Sequence, residues 1–125
     1  MKKLLLLNLL LALLISACST KSNYEKLQDG VIVTLNTKEG GAKRVKLQVI
    51  SDDIIHVTAT PADTFSTAQS LIVLPEVKGS TSWKLEESAD ALSLITKTLR
   101  AKVSLASGEV SFTDTTGQVI LQERQ

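Results

Sequence analysis

Arg44-Val45-Lys46-Leu47-Gln48-Val49, followed by Ser51-Asp52-Asp53 and then Ile54-Ile55-His56-Val57-Thr58-Ala59-Thr60, decides the fold. In the first segment Val45, Leu47 and Val49 alternate with Arg44, Lys46 and Gln48. In an extended chain successive side chains point to opposite faces, so this order makes one dry face and one wet face. The polar cluster Ser51-Asp52-Asp53 reads as a turn. The β-branched run Ile54 to Thr60 reads as a second strand, stopped by Pro61, whose missing N–H cannot continue a ladder.

The same period continues outward on both sides. Upstream, Val31-Ile32-Val33-Thr34-Leu35 is a strand closed by Lys38-Glu39-Gly40-Gly41. Downstream, Ala62 to Gln69 is polar and weakly patterned, a loop or a short helical turn starting near Asp63. Leu71 to Leu74 is a short apolar run ended by Pro75. Further strands are predicted at Trp83-Lys84-Leu85, Leu92 to Thr96, Leu99 to Leu105, Val110-Ser111-Phe112 and Val119-Ile120-Leu121. Ser107-Gly108 and Thr116-Gly117 lie between the last three and have the composition of tight hairpin turns. Short strands at close spacing without a helical period predict an all-β antiparallel β-sandwich. With one Trp, one Tyr and two Phe in the chain, Val, Ile and Leu must fill the core.

The N-terminus follows a different logic. Lys2 and Lys3 precede Leu4 to Ala17, which is apolar except for Asn8 and Ser16. That charged, apolar, small-residue order is the pattern of a secretory signal, too short for the roughly 20 apolar residues of a comfortable transmembrane helix. Ile15-Ser16-Ala17-Cys18 resembles the lipobox of bacterial lipoproteins. The resemblance implies cleavage before Cys18, the only cysteine of the chain, and a membrane anchor through lipid on its sulfur. Each buried acyl methylene contributes about 0.8 kcal/mol, and more than one acyl chain makes the anchor durable. Ser19 after the cysteine favours the outer membrane in the sorting logic of enteric bacteria. The expected organisation is a signal over residues 1–17, a polar tether over 18–28 with Tyr24 and Leu27 docking its end, and one domain over 29–125. Losing Lys2 and Lys3 leaves 12 basic against 13 acidic residues, so no basic face is implied and nucleic acid is an unsuitable partner.

Candidate chemistry is sparse. His56 is the only histidine and falls mid-strand, on the face opposite Ile55 and Val57, without a glycine-flanked serine elbow. One His and a lipid-committed Cys cannot assemble a transition-metal set. No cofactor motif is present. Glycoside hydrolysis needs two carboxyl groups facing each other about 5–10 Å apart. Neighbours on a strand point to opposite faces, so the pairs Asp52/Asp53 and Glu86/Glu87 do not meet that need. Asp52-Asp53 reads as a connection. Trp83 is the only indole and the one candidate sugar platform, with packing against the core or a hairpin as the plainer role.

The strand pattern resembles the N-terminal galactose-mutarotase-like domain of glycoside hydrolase family 31, the α-glucosidases and α-xylosidases. The resemblance rests on Val45 to Val49 leading into Ser51-Asp52-Asp53-Ile54-Ile55-His56-Val57, then Pro61 and Phe65. It continues through Thr96-Lys97-Thr98-Leu99-Arg100-Ala101-Lys102-Val103 and through Val110-Ser111-Phe112-Thr113-Asp114 with Gly117, Leu121 and Glu123. The family often has Arg where this chain has His56. The resemblance implies a non-catalytic supporting module of a surface α-glycosidase. In the family an aspartate nucleophile and an aspartate acid/base stand on a (β/α)8 barrel that follows this domain, so no catalytic residue carries over. It also implies a sandwich that is incomplete at Gln125, with an edge strand or core face left uncovered, and a separately encoded barrel as a candidate partner. The alternative is a free-standing surface lipoprotein that binds glycan or a partner protein.

Overall fold

The computed structural model describes residues 23–35, 41–68 and 82–123. Nine strands are formed in chain order: β1 (Tyr24–Lys26), β2 (Gly30–Thr34), β3 (Arg44–Ser51), β4 (Ile54–Thr60), β5 (Lys84–Glu87), β6 (Ala91–Ile95), β7 (Leu99–Ser104), β8 (Val110–Asp114) and β9 (Val119–Gln122). They make two antiparallel sheets, a four-stranded β1-β2-β3-β4 and a five-stranded β5-β6-β7-β8-β9. Among the described residues there is no helix, and the all-β sandwich stands. The segment after Pro61 is irregular as far as Ala68, which resolves the choice there in favour of a loop. The apolar run Leu71 to Leu74, the signal segment and Cys18 lie outside the described residues.

The alternation in β3 does what its sequence dictates. Val45, Leu47 and Val49 are buried, while Arg44, Lys46 and Gln48 lie on the outer face. β3 pairs with β2 from Thr34↔Arg44 to Gly30↔Gln48, and with β4 from Arg44↔Thr60 through Gln48↔His56 to Val49↔Ile55 and, past a bulge, Ser51↔Ile54. A bulge between Val49 and Ser51 absorbs one residue before the Asp52-Asp53 turn. The dry faces of the two sheets meet in one core, built from Val31, Val33, Leu35, Val45, Leu47 and Val49 on one side and Leu92, Leu94, Ala101, Val103 and Val110 on the other. Each large aliphatic side chain buried there stabilises the fold by about 1.5–3 kcal/mol.

One expectation needs correction. Tyr24–Lys26, read as part of the tether, form β1, with Tyr24 opposite Val33 and Lys26 opposite Val31. Three residues are too few to show a period. β1 is specified instead by the partner strand, and Thr34 N–H donates to the Asn23 carbonyl at 2.7 Å to extend that pairing.

Both glycine turns occur where predicted. Gly108 has φ 78° and Gly117 φ 91°, the left-handed region in which a Cβ is strained. Gly108 is doubly constrained, because a Cβ there would meet Leu35 Cδ1 at 2.5 Å.

Candidate functional site

Two hairpin ends from different sheets meet at one end of the sandwich. The Asp52-Asp53 turn joins β3 to β4, and Thr96-Lys97-Thr98 joins β6 to β7. Thr96 Oγ1 donates to the Asp52 carbonyl at 2.6 Å, and Thr98 Oγ1 is within hydrogen-bond reach of the same carbonyl and, at 2.8 Å, of Asp53 Oδ1. Lys97 Nζ lies 3.4 Å from Asp52 Oδ2. Asp52 Oδ1 is buried without a hydrogen-bond partner. The ammonium of Lys97 on the same carboxylate offsets part of that cost. The acidic pair singled out in the sequence is therefore a clasp between the sheets, as the reading of a connection anticipated.

Other charged and polar groups are also engaged structurally. Arg100 donates to Glu86 Oε2 at 2.7 Å across the outer face of the five-stranded sheet. Gln48 Nε2 donates to Asp29 at 2.6 Å. His56 is exposed on the outer face of β4, opposite Gln48. Among the described residues no group of three His, Cys, Asp or Glu side chains converges as a metal set. Asp114 heads the β8–β9 turn, where its Oδ1 accepts from Thr116 Oγ1 at 2.7 Å and from the N–H groups of Thr116 and Gln118 at 2.8 and 2.9 Å. The Thr116 hydroxyl, followed by the Gln118 N–H, holds this carboxyl below its ordinary range.

Trp83 is half-buried and packs against the core. Lys26 Nζ from β1 lies 4.9 Å from the centroid of its ring. A cation over the indole face is attracted by the ring quadrupole. The pair links β1 of one sheet to the residue just before β5 of the other. The ring face that carries Lys26 is not open to a pyranose.

A second aromatic arrangement escaped the sequence reading. The loop after β4 folds back over the outer face of the four-stranded sheet, bringing Phe65 beneath Arg44 and Lys46 at 5.6 and 5.4 Å. Arg44 also donates to the Asp63 carbonyl at 2.8 Å and pairs with Glu25 at 3.7 Å. The available signal was the i, i+2 spacing of Arg44 and Lys46, which puts both cations on one face, but nothing local assigns Phe65 to them.

No protein-family profile matches the sequence. Among solved structures, the GH31 α-xylosidase of Xanthomonas citri matches with a TM-score of 0.72 and 36% sequence identity. This chain has a GH31-like β-sandwich. The match covers 80% of this chain and 11% of the xylosidase chain, so the common part is a small portion of a much longer glycosidase. At that identity the likeness extends beyond the bare fold, and the domain is glycosidase-related.

Proposed function

We propose that this chain is the non-catalytic, N-terminal supporting module of a lipid-anchored α-glycosidase of the α-xylosidase or α-glucosidase type. The observation that carries this reading is the 36% identity to a GH31 α-xylosidase over 80% of the chain. It is supported by how the acidic groups are used. Asp52 and Asp53 clasp two hairpins and Glu86 holds Arg100. These carboxylates serve the scaffold rather than a bond-breaking pair. The module's task is then mechanical, presenting a rigid sheet surface to a barrel that does the chemistry.

The purified full chain should release no detectable product from chromogenic α-xyloside or α-glucoside. Turnover that co-purifies with the chain through several columns would refute the reading. Sequencing the DNA beyond the Gln125 codon is the complementary test. A barrel coded there or beside it supports the reading, and unrelated sequence counts against it.

The anchor is a separate part of the proposal and rests on Lys2-Lys3, the apolar run and the Ile15-Ser16-Ala17-Cys18 order. Cys18→Ser should abolish incorporation of a clickable fatty-acid analogue and move the protein from the membrane to the soluble fraction. Label that persists in this variant overturns the lipid assignment.

A further inference from the structure

The formation of β1 shortens the tether. The polar stretch expected to link the anchor to the domain runs to Gln28, yet the Asn23 carbonyl already accepts from the Thr34 N–H and Tyr24 already pairs with Val33. Only Ser19, Thr20, Lys21 and Ser22 then separate Cys18 from the sheet. A chain spans at most about 3.6 Å per residue, so Asn23 stays within about 18 Å of Cys18 in any conformation of those residues.

Asn23 sits at a definite end of the sandwich. The Asp52-Asp53 turn closes β3 and opens β4, so the opposite end holds the start of β1, the end of β2, the start of β3 and the end of β4. In the other sheet Thr96-Lys97-Thr98 meets the Asp52 turn, which places Ser88-Ala89-Asp90 and Leu105 to Gly108 at the Asn23 end. The Leu105 N–H donates to the Asp90 carbonyl at 2.9 Å, and a Cβ on Gly108 would meet Leu35 and Val45. Residues 36–40, outside the described set, leave Leu35 and return to Gly41 at this same end. β1 and β2 rise about 3.3 Å per residue, so Gln28, in the turn that joins them, stands about 15 Å beyond Asn23.

We propose that this short tether holds the Asn23 end of the sandwich, with Lys43, Ala89 and Ala106, against the headgroups of a phospholipid surface and turns the Asp52–Lys97 clasp toward the aqueous side. The inference rests on the lipid anchor proposed above. Among the described residues the large exposed apolar side chains, Ile54, Val119, Ile120 and Leu121, belong to β4 and β9 and not to the turns of this end. Those turns present small and polar residues, and Lys43 and Asp63 pair beside them at 3.5 Å. Such a surface suits contact with headgroups rather than insertion among acyl chains, which needs a buried apolar face. What keeps it at the lipid is the length of the leash.

The test uses the acylated chain purified from membranes, in phosphatidylcholine vesicles that contain a lipid with a nitroxide on its headgroup. Ala89→Cys and Gln28→Cys are each labelled with a fluorophore. Both positions are exposed, and acylation of Cys18 leaves the new thiol as the reactive one. The dye at Ala89 should be quenched several-fold more strongly than the dye at Gln28. A Gly/Ser insertion of about twenty residues after Ser22, with a root-mean-square span of about 25 Å, should remove that difference. Equal quenching of the two dyes in an acylated, vesicle-bound chain overturns the orientation and leaves the anchor standing. A difference that survives the longer tether also overturns the proposal, because the end then holds lipid by itself. A purified chain whose mass shows no acyl group and which stays off the vesicles overturns anchor and orientation together.

Discussion

Gly108 shows how much a single position can carry. Its positive φ and the 2.5 Å approach of Leu35 Cδ1 to any added Cβ act together. Gly108→Ala should therefore cost about 1–3 kcal/mol, read as a lower urea midpoint with an unchanged slope. Asp114 makes a prediction about pH. Its carboxyl is held below its ordinary value of 3.8 by the Thr116 hydroxyl and then the Gln118 N–H. The folded state thus binds this proton less readily than the unfolded chain. The resulting stabilisation is complete above the ordinary value and disappears as pH falls through the lower folded value. In that acid window wild type should lose more stability than Asp114→Ala, followed by thermal melts at stepped pH. Parallel curves would contradict the assignment.

At the scale of elements, the clasp and the core can be weighed against each other. Thr98→Val removes the hydroxyl that reaches Asp52 and Asp53. A net hydrogen bond contributes about 0.5–1.5 kcal/mol, so a loss of that order is expected in denaturant melts. Lys97→Ala removes an ion pair whose lysine side chain is 71% exposed, and its effect should stay within about 1 kcal/mol and shrink in salt. Leu47, fully buried between the sheets, is a different matter. Leu47→Ala opens a cavity and should cost about 2–5 kcal/mol by the same assay. Packing between the sheets outweighs the clasp, whose task is to fix how the hairpin ends align.

The elements also differ in how openly their sequences announced them. β3 and β4 were legible because a face that must be dry and a face that must be wet impose strict alternation, and the Asp52-Asp53 turn lay between them. The hairpins at Gly108 and Gly117 were legible because few residues tolerate those backbone angles. β1 was not, since Tyr24-Glu25-Lys26 owes its strand form to β2. β6 was read only in part. Ala91, Leu92, Ser93 and Leu94 are all buried, so its outer face is covered by neighbours that no local pattern could name. Of the candidate residues, Asp52 and Asp53 were placed correctly as a connection and His56 on an outer face. The cations above Phe65 and Trp83 depend on distant chain segments brought together by the fold.

For the whole molecule, the connectivity has its own consequence. Within each sheet every strand pairs only with its neighbours in sequence, so both sheets are plain meanders. Contacts between nearby residues form faster than contacts that must close long loops. Assembly should begin with hairpins zipping one after another, and the meeting of the two finished layers should come last. A chain that emerges N-terminus first can complete its first layer before the second has emerged. Pulse-labelling with deuterium during refolding should find amides of β2 and β3 protected before the slow signal of Trp83 appears. Simultaneous appearance of both would mean that neither layer holds together until the other arrives.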